Sequence, residues 1–191
     1  MIETKEGTTT APGAVMLAPD WGGRLVPVSS RDKNGNYKIE GVYPGHYRVT
    51  PFPPPGPYYL DSITLGDRDV VGQAVEFNSG SVPLKIVYKS DGGILHGTVE
   101  ECGSATIVLA PEDPAFERPE YSLAPNARCS ADGHFEFRNL RPGQYYVFAF
   151  EHFNQPATEF LSSLTAVINK AVTVEVKSKE TATVDLKVTP Q

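Results

Sequence analysis

Apolar and polar residues alternate in short runs along this chain. Tyr37 and Ile39 are separated and followed by the charged Lys38 and Glu40. Phe135 and Phe137 alternate in the same way with Glu136 and Arg138. Period two marks a strand with one buried and one wet face, as in an antiparallel sandwich. Each run follows a dipeptide that tolerates positive φ, Asn34-Gly35 or Asp132-Gly133, the strongest short hairpin signal. Each is followed by Pro44-Gly45 or Pro142-Gly143, which predicts a type II turn with the glycine in the left-handed position. Tyr47, Val49 and Tyr145, Val147 then resume the inward face. A last predicted hairpin sets Val172, Val174 and Val176 against Val184, Leu186 and Val188 across the turn Lys177-Ser178-Lys179-Glu180. One segment breaks the pattern. In 158–169 the apolar residues Phe160, Leu161, Leu164, Val167 and Ile168 recur at helical period. This predicts a short helix, capped by Thr158, ended at Asn169 and packed on its own sandwich.

The alternating runs belong to an internal repeat. The stretch from Asn34 to Val49 lies without a gap over the stretch from Asp132 to Val147, an offset of 98. Val75-Glu76-Phe77 and Leu84-Lys85-Ile86 lie over Val174-Glu175-Val176 and Val184-Asp185-Leu186, at offsets of 99 and 100. Two blocks in the same order predict two homologous modules, 1–91 and 92–191, joined near Ser90-Asp91-Gly92-Gly93. The short Gly-Gly link is expected to limit freedom between them.

Composition fits this picture. The 191 residues suit two domains of ordinary size, and 40% hydrophobic with 21% charged is a globular balance. The 17 glycines and 17 prolines suit many short elements joined by tight turns. The net charge is −6 and neither half carries a basic stripe, which argues against nucleic acid as a partner. No apolar run approaches the roughly 20 residues that span a bilayer. The polar stretch after Met1 does not read as a signal peptide. A cytosolic protein and a piece of a longer precursor are both compatible with it.

The phrase D/N-G-x-aromatic-x-apolar, followed by P-G-x-Y-x-V, resembles the carboxypeptidase regulatory-like domain twice over. That family has a prealbumin-like Greek-key sandwich, close to the Cna B-type and starch-binding-like folds. The resemblance implies an all-β protein of two tandem Ig-like sandwiches, the second of which carries the short helix that the periodicity predicts. It also implies a non-catalytic spacer, scaffold or binding module of a secreted, periplasmic or cell-surface bacterial protein. The partners implied are other proteins or neighbouring domains, with polysaccharide as the alternative. Gly92-Gly93-Ile94-Leu95-His96-Gly97-Thr98-Val99 resembles the family's first strand and opens the second module. The first module has no such phrase. Either the atypical segment from Ile2 to Thr10 forms its first strand, or that strand lies upstream, in which case the chain is a fragment of a longer protein and the edge of the first module is expected to be under-paired.

Candidate chemistry is sparse. His46, His96, His134 and His152 make no metal-ligand spacing. No serine-nucleophile or phosphate-loop motif occurs, so neither a catalytic residue nor a cofactor is expected. The related Cna B modules can form a Lys–Asn cross-link promoted by an acid, but the acid's position holds Pro51 and Ala149, with Glu151 two residues further on. Cys102 and Cys129 are the two cysteines. In the Greek key that the resemblance implies, their turns lie at one end of the sandwich. A disulfide there would mark an oxidising compartment; the alternative is two part-buried thiols. The stiff run Pro51-Phe52-Pro53-Pro54-Pro55-Gly56-Pro57-Tyr58-Tyr59 reads as polyproline II. Trp21, Tyr58 and Tyr59 are the candidate aromatics for a sugar-stacking platform; covering the end of the sandwich is the plainer role.

Overall fold

The computed structural model describes residues 2–4, 7–9, 14–21, 29–31, 36–52, 56–78, 83–116, 126–151, 153 and 168–189. It is all-β, and the chain divides into two compact units, Met1–Ser90 and Asp91–Gln191.

In unit one, the larger sheet holds β1 (Ile2–Thr4), β2 (Gly7–Thr9), β7 (Tyr59–Leu65), β8 (Arg68–Asp69) and β10 (Leu84–Lys89), in the order β2-β1-β10-β7-β8. A second sheet holds β3 (Ala14–Pro19), β6 (Gly45–Phe52) and β9 (Ala74–Phe77), in the order β3-β6-β9. β4 (Ser29–Arg31) and β5 (Tyr37–Ile39) pair as a small ribbon. The buried side chains alternate as the pattern requires: Val15 and Leu17 on β3, Tyr47 and Val49 on β6. On β10 two neighbours, Val87 and Tyr88, are both buried. Between them the register against β7 shifts, with Asp61 of β7 left as the extra residue. At this edge β1 runs parallel to β10 over two pairs, Ile2 opposite Tyr88 and Glu3 opposite Lys89, and β2 closes against β1 as a hairpin.

Unit two is a sandwich of two sheets. One holds β11 (Gly93–Glu100), β14 (His134–Leu140) and β17 (Thr181–Lys187), in the order β14-β11-β17. The other holds β12 (Thr106–Pro111), β13 (Asn126–Arg128), β15 (Gly143–Phe150) and β16 (Val172–Val176), in the order β13-β12-β15-β16. Leu95, Val99, Phe135, Phe137, Val184 and Leu186 meet Ile107, Leu109, Tyr145, Val147 and Val176 between them. Gly97 faces the same interior, where a Cβ would collide with the Phe135 ring and stand 2.7 Å from the Val184 carbonyl oxygen. The bare Cα is what lets Phe135 lie across β11.

Three features differ from the sequence expectation. First, Val172–Val176 and Thr181–Lys187 are not a hydrogen-bonded hairpin. β16 pairs with β15 and β17 with β11, so the turn carries the chain from one sheet to the other. Alternation fixes which way side chains point, not which strand lies alongside. Second, the left-handed residue of the repeated turn is Gly41 (φ 73°) in unit one and Asn139 (φ 57°) in unit two, while Gly45 opens β6 directly. Asparagine tolerates that conformation better than most side chains. Third, β12 and β15 are buried on both faces. Val108, Ala110, Phe148 and Phe150 form a second cluster, joined by Tyr146, Phe153 and Ala171. The helix expected over 158–169 lies outside the described residues except at its end, where Ile168 and Asn169 begin a short 3-10 helix, Ile168–Lys170.

Candidate functional site

The two units share one local device. The Tyr47 hydroxyl donates to the Tyr43 carbonyl oxygen at 2.9 Å, and the Tyr145 hydroxyl donates to the Arg141 carbonyl oxygen at 2.7 Å. Tyr47 stands opposite Pro19 and Val75, Tyr145 opposite Pro111 and Val174. Each phenol pins the turn before its own strand while its ring fills the core. Burial, only partly opposed by the Arg141 charge, pushes the Tyr145 phenol up to about 12. It stays a neutral donor at physiological pH.

The outer face of β14-β11-β17 carries the polar residues. His96 and Glu136 stand opposite each other and are hydrogen-bonded, and Glu136 also accepts from Arg138. Partial burial pushes the Glu136 carboxyl up, but Arg138 and His96 together hold it below the usual glutamate range. Thr98 donates to Asp185 at 2.5 Å, and Lys187 reaches Glu100 at 3.2 Å. A groove of about 870 Å³ opens here, lined by His96, Thr98, Arg128, His134, Glu136 and Asp185 among others. His96 with Glu136 bridges β11 to β14, and Thr98 with Asp185 bridges β11 to β17, so these contacts tie the three strands together.

Of the histidines, His46 is exposed on β6, His96 holds Glu136, and His134 lies 3.7 Å from Asp132. His152 lies outside the described residues. Among the described residues no group of three metal-ligating side chains converges, and no helix is long and apolar enough to cross a membrane. Ala149 is buried and Glu151 exposed, so no acid enters the core there. Leu95, Val99, Val184 and Leu186 fill the inward positions of the first and last strands of unit two.

The two cysteine sulfurs are set against each other. The Cα atoms of Cys102 and Cys129 are 6.6 Å apart, within the span a disulfide bridges. The three candidate aromatics do not form a platform. Tyr59 is a core residue, 6% exposed, because it opens a strand whose neighbour, Lys89 of β10, holds it in the sheet. Tyr58 is part-buried, its ring over Gly56. Trp21 is 58% exposed, its ring edge-on to Tyr47 at 5.0 Å and seated against Gly45. Tyr43, which the sequence reading passed over, is more exposed still at 73%.

No protein-family model matches the chain, and no curated protein does. The resemblance to the carboxypeptidase regulatory-like domain therefore rests on the sequence motifs alone. Solved structures are similar at low identity. A minor pilin of Streptococcus agalactiae is 12% identical, with 96% of this chain and 84% of that one covered and a TM-score of 0.38. A streptococcal ancillary pilin is 14% identical, with 98% and 60% covered and a TM-score of 0.39. The TIE protein of Bacillus anthracis is 16% identical, with 92% and 34% covered and a TM-score of 0.33.

Proposed function

We propose that this chain is a pair of homologous, non-catalytic structural modules of an extracellular or cell-surface protein, joined near Ser90-Asp91, that hold neighbouring domains or partner proteins at a set distance. One observation carries the reading. In unit two the first strand lies parallel to the last, β11 beside β17, from Ile94 opposite Thr181 to Glu100 opposite Lys187. The chain therefore enters that unit at one pole and leaves it at the other, which suits an in-line spacer. The Cys102–Cys129 pair supports the extracellular setting: a disulfide closing that 27-residue separation stabilises by about 3.5 kcal/mol on the chain-entropy relation and persists in oxidising compartments.

The test is a thiol count on the protein exported from the cell and denatured without reductant. No free thiol is expected, with two appearing after reduction. Two thiols from the start would overturn the extracellular assignment. The sugar-binding alternative has one favourable observation, the exposure of Trp21 and Tyr43 in unit one. A glycan panel run with Trp21→Ala and Tyr43→Ala beside the parent chain decides it.

A further inference from the structure

β11 and β17 are in register over seven residue pairs, from Ile94 opposite Thr181 to Glu100 opposite Lys187. The ladder is fastened at both ends. Where the chain enters, Ile94 donates its N–H to the Glu180 carbonyl oxygen at 2.9 Å, and Lys179 donates its N–H to the Asp91 carbonyl oxygen at 3.2 Å. The Ser178 hydroxyl reaches the Asp91 carbonyl oxygen at 3.0 Å and a side-chain oxygen of the same residue at 2.9 Å. Where the chain leaves, Lys187 pairs with Glu100, and Thr189 donates its N–H to the Ala149 carbonyl oxygen at 2.8 Å.

A pull along the chain draws β11 toward its own beginning and β17 toward its own end. In a parallel pair these are opposite ends of the ladder, so the load runs along the strands and the cross-strand bonds share it. Strands loaded at the same end of a ladder separate one bond at a time instead. Resistance to forced unfolding follows the unfolding barrier, and that barrier is higher when many bonds must yield together. In unit one the parallel contact is two pairs, Ile2 opposite Tyr88 and Glu3 opposite Lys89. Most of β10 is bonded to the antiparallel β7.

We infer that unit two is a force-bearing clamp and unit one the element that yields first, which makes the chain a linker that lengthens in two stages. The biological use of this device rests on the spacer reading; the force asymmetry follows from the strand pairing alone. The Cys102–Cys129 link would hold 27 residues out of the second stage, about 90 Å of contour at roughly 3.3–3.6 Å per residue.

The experiment stretches the full chain between handles at its two ends in optical tweezers. Two steps are expected. The step at higher force belongs to unit two and is about 90 Å short of its full contour, a deficit that reductant applied to the extended chain restores. Handles moved to Ser90 and Lys179 place the load at one end of the β11–β17 ladder without altering its pairs, and the force of the unit two step is expected to fall. Equal force in the two geometries, or unit two yielding before unit one, overturns the inference. Such a result leaves the structural-module reading intact when the thiol count finds the cysteines paired. Unpaired cysteines strike at the extracellular assignment and leave the force ranking standing.

Discussion

At the scale of single residues, Tyr145 shows how one group serves both packing and hydrogen bonding. Its ring fills the core of unit two and its hydroxyl closes a turn. Because burial raises its folded pKa from 10.0 to about 12, the neutral phenol is the form the fold prefers. The unfolded chain ionises first as pH rises. Stability is therefore complete below pH 10 and lost between 10 and about 12, by an amount on the order of 2–3 kcal/mol. Tyr145→Phe is expected to cost about 1 kcal/mol at pH 7, through the lost hydrogen bond, and to flatten this alkaline loss. Urea titrations at a series of pH values check both. A variant as pH-sensitive as the parent would show that another group is responsible.

The exposed aromatics mark a limit of reading residues one at a time. Tyr58 and Tyr59 are adjacent aromatics, and sequence alone does not say that the second is a core position on β7. Tyr43 carried a signal that was available. At an offset of 98 it stands where unit two has Arg141, a side chain that reaches the surface to meet Asp113 at 3.9 Å. A position that accepts arginine in one copy is a surface position in the other.

At the scale of elements, the strand after each turn dipeptide was legible in the sequence. Phe135 and Phe137 face in while Glu136 and Arg138 face out, as period two requires. The central strands β12 and β15 were less so. Ile107-Val108-Leu109-Ala110 and Val147-Phe148-Ala149-Phe150 are apolar runs buried on both sides, and a run without alternation does not announce its second face. Phe148→Ala tests that second face. It is expected to destabilise unit two by about 3–5 kcal/mol, although Phe148 points away from the Tyr145–Val147 core. A chemical-denaturation midpoint close to the parent's would show that the outer cluster contributes little. Sheet membership also lay beyond the pattern. The valines of β16 and β17 have the alternation of a hairpin, and only the pairing of β17 with the distant β11 separates them into two sheets.

At the scale of the whole molecule, the division at Ser90 and Asp91 predicts two unfolding transitions rather than one. Both cysteines lie in unit two, so reductant is expected to lower the transition of that unit and leave the other in place. Calorimetry with and without reductant checks this, and a shift of both transitions together would show that the units unfold as one. The offset of 98 recurs across turn, strand and core tyrosine. The absent opening phrase of unit one was harder to interpret. Its place is held by the short β1–β2 hairpin, whose sequence has no likeness to Leu95-His96-Gly97-Thr98-Val99.

The parallel pairing of β11 with β17 also governs how unit two can be rewired. Many domains bring their two chain ends together and so tolerate circular permutation. Here the chain before Gly93 and the chain after Lys187 are separated by the length of the ladder, roughly 20 Å at 3.3 Å per residue. A linker joining them must run back along the whole sandwich. The unit is thus suited to being strung in series, copy after copy, and poorly suited to being closed into a ring.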